Sequence, residues 1–190
     1  MSELISAPLA GASFDGLCTI RALPAPGQIL IRYEDSADFR EKLRDVLGLC
    51  VPEPLRSDIN GGEALLWMAP DELLFLCPHD MVGDRLARLN AVFEVWFITI
   101  TDVSDARAFF DIEGPQLRDV LAKLTPADMA PDAFTPGTVR RSKLAQVAAG
   151  YWLRSETAAQ VFCYRSVADY AFKVLSLAAA PGGEVGFHSP

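Results

Sequence analysis

The chain has 190 residues, 51% of them apolar and 22% charged, which is enough apolar material to bury a sizeable core and too little polar bias for disorder. A formal net charge of −8 weighs against a nucleic-acid backbone or an anionic membrane as the main partner, since both select a basic face. The longest strand-like apolar run, residues 95–100, falls well short of the roughly 18 residues needed to cross a bilayer.

The first residues carry an early acid and a proline and no basic region ahead of a long apolar stretch, so they read as a loose leader and not a secretory signal. Residues 17–23 and 28–33 are apolar-rich runs split by Pro24-Ala-Pro-Gly27, the punctuation of strand, turn and strand. Ser36 is placed to cap a helix whose Phe39, Leu43, Val46 and Leu47 fall at helical spacing, and Gly48, Pro52 and Pro54 stop it. Residues 64–68 and 73–77 read as a hairpin around Pro70-Asp71-Glu72, and Asp80 as the cap of a helix through Leu86 and Leu89.

The same grammar then repeats. Residues 95–103 and 108–112 read as strands, and Gly114-Pro115 leads into a helix with proline in its first turn and Leu117, Val120, Leu121 and Leu124 as its buried stripe. A connection over 125–137, rich in proline, precedes strands at 139–148, 151–153 and 160–164. Ser166 caps a closing helix with Val167, Tyr170, Ala171, Val174 and Leu175 inward, and 181–190 reads as a flexible tail or an arm.

The pentapeptide Leu-Arg-Asp-Val-Leu occurs at 43–47 and again at 117–121, each time on the helix after an apolar strand. Downstream of each copy come a strand with tryptophan (Trp67, Trp152), a strand ending in cysteine (Cys77, Cys163) and an amphipathic helix. The expectation is an α+β protein of two duplicated halves, 8–93 and 94–180, packed as one compact unit. Each half reads strand, strand, helix, strand, strand, helix, with antiparallel sheets covered by helices.

Chemistry has little material to use. Cys18, Cys50, Cys77 and Cys163 lie far apart, with no C-x-x-C, and read as buried small hydrophobes of a reducing compartment. His79 and His188 are distant from one another, so neither a metal site nor a Ser-His-Asp mechanism is signalled. Asp71-Glu72 reads as solvated turn residues, and Asp102, Ser104 and Asp105 as a strand-end turn. Gly61-Gly62 and Gly182-Gly183 lack the strand-to-helix context of a nucleotide loop. No catalytic, cofactor-binding or metal-binding residue is assigned. The basic cluster Arg140, Arg141 and Lys143, in an acidic chain, is either a solvated strand edge or a contact for an acidic partner surface. Trp67 and Trp152 are expected in the core as repeat equivalents, and Trp96 in core or interface.

The string from Thr101-Asp-Val-Ser-Asp through Glu113-Gly-Pro-Gln-Leu-Arg-Asp-Val-Leu121 resembles the gamma subunit of heterotetrameric sarcosine oxidase. Leu66-Trp-Met-Ala-Pro-Asp-Glu before it, and Ala133-Phe-Thr-Pro-Gly137 and Phe162-Cys-Tyr-Arg-Ser-Val-Ala-Asp-Tyr170 after it, extend the likeness over nearly the whole chain. The wider superfamily is that of the folate-binding glycine cleavage T-protein, or aminomethyltransferase. The resemblance implies a cytoplasmic, non-flavin subunit of a complex that oxidatively demethylates sarcosine to glycine, with hydrogen peroxide and formaldehyde or methylenetetrahydrofolate as products. It also implies alpha, beta and delta partner subunits, with FAD, FMN and NAD held by those subunits and tetrahydrofolate as co-substrate of the complex. T-protein relatives that do chemistry place a carboxylate just after a Gly-Gly turn in the second half; the comparable stretch here, Ala149-Gly-Tyr-Trp-Leu-Arg154, has none, so this chain itself is expected to be non-catalytic. The alternative reading is a stand-alone folate-binding or aminomethyltransferase-like protein, the ancestral use of the fold.

Overall fold

The structure is a computed structural model that describes Leu9 and residues 11–188. The rest of the expected leader and the last two tail residues lie outside the described residues. The chain divides into two compact units, one formed by Pro26–Asp105 and the other by the chain up to Ala25 together with the chain from Ala106 onward.

In the Pro26–Asp105 unit, five antiparallel strands lie in the order β4-β5-β6-β3-β7. They are β3 (Gly27–Arg32), β4 (Ser57–Asn60), β5 (Glu63–Ala69), β6 (Glu72–Cys77) and β7 (Thr99–Asp102). Two helices, α1 (Ala37–Leu47) and α2 (Val82–Val92), cover one face. Ile29, Ile31, Leu65, Leu73 and Phe75 from the sheet pack there against Phe39, Leu43 and Leu47 of α1 and Leu89 of α2. This is the one-sided burial expected of an antiparallel sheet. The Ser36 hydroxyl accepts the Phe39 N–H at 3.2 Å, and Gly48 ends α1 in the left-handed region (φ 69°), its N–H donating to the Arg44 carbonyl at 2.7 Å. Ser36→Ala is therefore expected to lower stability by about 1 kcal/mol. An unchanged urea midpoint would show that the cap contributes nothing.

The other unit has six antiparallel strands in the order β1-β2-β8-β11-β10-β9. They are β1 (Ser13–Asp15), β2 (Thr19–Ala22), β8 (Arg107–Glu113), β9 (Val139–Leu144), β10 (Val147–Ser155) and β11 (Ala158–Tyr164). With α3 (Leu117–Ala122) and α4 (Ala168–Ala178), they enclose a core of Ile20, Phe110, Ile112, Leu117, Val120, Leu121, Tyr151, Leu153, Val161, Ala171 and Leu175.

The two sheets repeat one another register for register. In one, Thr99, Ile100 and Asp102 of β7 lie opposite Arg32, Ile31 and Ile29 of β3; in the other, Thr19, Ile20 and Ala22 of β2 lie opposite Glu113, Ile112 and Phe110 of β8. The hairpin pair Ala69–Glu72 matches Ser155–Ala158, each beside a bulge, and Cys77 matches Cys163 at the same spacing. A 3-10 turn then leads into each helix, His79–Met81 before α2 and Arg165–Val167 before α4. These matches support the duplication.

The boundary expected between 93 and 94 does not separate the sheets. The opening strands of each sequence half join the sheet of the other half: β2, with β1 on its outer side, pairs with β8, and β7 pairs with β3. Sequence order alone cannot reveal this exchange, because either pairing satisfies the same apolar pattern.

Several local expectations are corrected. Residues 95–98 are not in the sheet, because β3 ends at Arg32 opposite Thr99 and offers them no partner. Asp80 and Ser166 do not cap α2 and α4, whose starts are formed by the 3-10 turns. Pro115 lies ahead of α3 and not in its first turn, and Tyr170 is exposed. The strand expected over 139–148 is two strands: the β9–β10 turn falls at Ala145-Gln146, and Gly150 sits in mid-strand opposite both Arg141 and Phe162. Trp67 and Trp152 are not repeat equivalents. Measured from the matched turns, Trp67 corresponds to Leu153 and Trp152 to Leu66, so Trp67 and Leu153 face the helix-covered cores and Trp152 faces the other way. Segment 181–188 forms no helix or strand, yet the Lys123 ammonium donates to the Gly183 carbonyl and the His188 N–H to Asp119 at 2.8 Å.

Candidate partner interface

The polar residues at the strand ends bond to the backbone and to one another. Asp102 accepts both the Ser104 N–H (2.9 Å) and the Ser104 hydroxyl (2.6 Å). The Ser104 hydroxyl accepts the Gln28 N–H at 3.0 Å, and the Gln28 amide donates to the Ser104 carbonyl at 3.0 Å. This knot closes the end of the β3–β7 ladder, as a strand-end turn should. Asp71 is an exposed turn residue, but Glu72 is the buried first residue of β6; both accept from Arg32, at 3.0 and 2.7 Å. Gly61 and Gly62, both at positive φ, make the two-residue turn of the β4–β5 hairpin.

The cysteines divide. Cys18, Cys77 and Cys163 are buried, and burial pushes each thiol up to about 11, so they stay protonated at neutral pH. Cys50 is exposed, against expectation. Its segment follows the end of α1, where the Asp58 carboxylate accepts the Cys50 N–H at 2.6 Å.

The stretch compared with the T-protein carboxylate is not a turn. A Cβ on Gly150 would lie well inside 3.0 Å of the Phe162 ring, so the space a side chain at this position would take is filled by an aromatic ring.

Of the residues singled out for an interface, Arg140, Arg141 and Lys143 lie on β9, the edge of the six-stranded sheet, while Trp96 belongs to the other unit. Alternation separates the cluster. Arg140 is half-buried and donates to the Ala133 carbonyl at 2.9 Å, whereas Arg141 and Lys143 are exposed. Charges along an edge strand discourage pairing with a foreign strand, so this edge is guarded. Trp96 packs edge-on to Phe93 at 5.6 Å and anchors the segment between α2 and β7. Its neighbours Val95 and Phe97 are 92% and 105% exposed, and the sequence reading missed them by assigning them to a strand. Beside them is a hollow of about 370 Å³ lined by Arg32, Tyr33, Glu34, Asp71, Phe97 and Thr99 among others.

Charge is also divided. The Pro26–Asp105 unit has seven basic and fifteen acidic side chains, and the remainder of the chain ten of each, so the whole net charge of −8 belongs to the unit that carries the exposed Phe97. No helix among the described residues is long and apolar enough to cross a membrane.

The model of the sarcosine oxidase gamma subunit family matches residues 33–181. The sarcosine oxidase gamma subunits of Arthrobacter sp. and of Corynebacterium sp. (strain P-1) are each 26% identical, over 160 and 157 residues, covering 82% of this chain and 76% of theirs. A chain of the heterotetrameric sarcosine oxidase from Corynebacterium sp. U-96, solved with pyrrole 2-carboxylate, has the same fold at a TM-score of 0.80 and 23% identity, over 88% of this chain and 87% of that one. The glycine cleavage system aminomethyltransferase T from Bartonella henselae shares the fold at a TM-score of 0.59 and 13% identity, over 82% of this chain and 44% of that one. With the match spanning both units, the chain belongs to the sarcosine oxidase gamma subunit family.

Proposed function

We propose that this chain is the structural, non-flavin gamma subunit of a cytoplasmic heterotetrameric sarcosine oxidase, docked on alpha, beta and delta subunits that hold FAD, FMN and NAD. The complex oxidatively demethylates sarcosine to glycine, releasing hydrogen peroxide and formaldehyde, or methylenetetrahydrofolate where tetrahydrofolate accepts the carbon. The observation that carries this reading is the family match over 33–181, which takes in most of both units. A scaffolding role is supported by the use to which the polar groups are put: Asp102, Ser104 and Gln28 close a ladder, and Arg32 is bridged by Asp71 and Glu72. Arg140, Arg141, Lys143 and Trp96 are proposed as contacts with companion subunits, Arg141 and Lys143 by charge and Trp96 by holding its exposed neighbours in place.

Tagging the full chain in its native host and recovering its companions tests the reading. The expected eluate contains flavoprotein subunits, shows flavin absorbance and makes peroxide when sarcosine is added. A chain that elutes alone, colourless and able to bind tetrahydrofolate would instead be a stand-alone folate-binding protein.

A further inference from the structure

We propose that the open edge of β7, with Val95 and Phe97 beside it, is where an extended segment of a companion sarcosine oxidase subunit adds as a sixth strand, the segment carrying apolar and basic side chains. The inference rests on the gamma subunit reading and deepens it.

The internal repeat supplies the first argument. Strand β2 is the equivalent of β7, and its outer side is covered by β1, with Phe14 opposite Ile20 and the Ala22 N–H donating to the Ala12 carbonyl at 2.9 Å. The matching positions on β7 are Ile100 and Asp102. The Val103 N–H donates to the Gln28 carbonyl at 2.8 Å, so ladder alternation turns Thr101 and Thr99 toward β3 and the N–H and C=O groups of Ile100 and Asp102 outward. Among the described residues β7 is the last strand of its sheet. Among the described residues, the same backbone groups that pair with β1 in one copy of the repeat therefore have no strand beside them in the other.

The surroundings fix the occupant. An edge left unguarded invites strand pairing, and β7 reads Thr-Ile-Thr-Asp, without the Arg and Lys that line β9. Recognition by added strands takes affinity from main-chain bonds and specificity from side-chain pockets. Here Val95, Phe97 and the hollow at the Thr99 end supply the apolar contact. Arg32 in that hollow is already bridged to Asp71 and Glu72, leaving Glu34 and, nearby in the chain, Glu94 to favour cations in a unit that bears the whole negative charge.

The test is amide hydrogen exchange on the full chain, alone and in the purified complex, together with the assembly affinity of Phe97→Asp. Phe97 is fully exposed, so this variant keeps the fold. The expected result is fast exchange at Ile100 and Asp102 in the isolated chain, slowed at least about tenfold on assembly. Phe97→Asp should weaken assembly by about tenfold or more, the effect of losing an interface anchor. If the chain assembles and neither change occurs, the inference is overturned while the gamma subunit reading stands. Slow exchange already present in the isolated chain overturns it as well, because the chain then covers its own edge. If no complex forms, the reading and the inference fall together.

Discussion

Arg118→Met is expected to destabilise the protein by about 3–5 kcal/mol, whereas Arg44→Met, in the other copy of the same pentapeptide, should cost about 0.5 kcal/mol or less. The Arg118 side chain is 6% exposed; its guanidinium donates to the Met129 and Phe134 carbonyls at 3.0 and 2.8 Å and to the Glu156 carboxylate at 2.6 Å. Those two carbonyls belong to the proline-rich connection between α3 and β9, which forms neither helix nor strand and so cannot satisfy them by a ladder. Removing the guanidinium orphans both, at about 1–3 kcal/mol each for a buried acceptor. Among the described residues the Arg44 side chain has the loose 3.8 Å pairing to Asp45, both side chains more than half exposed. Glu156 is 64% exposed, so Glu156→Gln should cost about 1 kcal/mol at most, separating the carbonyl bonds from the ion pair. Urea denaturation of the three variants decides it. Equal midpoints for the Arg118 and Arg44 variants would mean that the connection is not held by this side chain.

That contrast shows where sequence reading worked and where it stopped. Leu-Arg-Asp-Val-Leu marks the helix after the first long strand of each unit, and its Leu and Val positions face the core or its margin in both copies. The two polar positions carry no such information. Arg44 and Asp45 meet solvent, while Arg118 is covered by the 125–137 connection and Asp119 accepts an N–H from the tail. Whether a charged residue is buried depends on segments far off in sequence that periodicity does not place. Strands with alternating apolar residues were legible, because the pleat imposes a period of two. Their partners were not: β2 and β7 satisfy that pattern in either sheet, and only the register shows that they are exchanged. The two short edge strands β1 and β4 had too little apolar signal to be noticed. For the interface, composition pointed to Arg140, Arg141 and Lys143. The exposed Phe97 was hidden inside an apolar run that looked like buried strand, since apolar residues at a docking surface and in a core are written alike.

Gly150 was legible as a glycine but not for its reason, and the expected behaviour of its variants makes the reason testable. It lies opposite Phe162 in the β10–β11 pair, and the Phe162 ring, 2% exposed and stacked on Phe109 at 5.1 Å, lies across the space a Cβ would take. A ring laid over a strand glycine recovers the packing the glycine gives up. Gly150→Ala forces that ring toward Phe109, and overpacking of this kind costs about 1–3 kcal/mol. Phe162→Ala removes a fully buried ring and should cost about 3–5 kcal/mol. In the double variant the new methyl enters space the ring has vacated, so its loss should fall short of the sum by about 1–3 kcal/mol. A strictly additive cycle would mean that the glycine serves something other than the ring, and would reopen the comparison of 149–154 with the carboxylate-bearing loop of the aminomethyltransferases. A coupled cycle ties Gly150 to the packing of its own sheet.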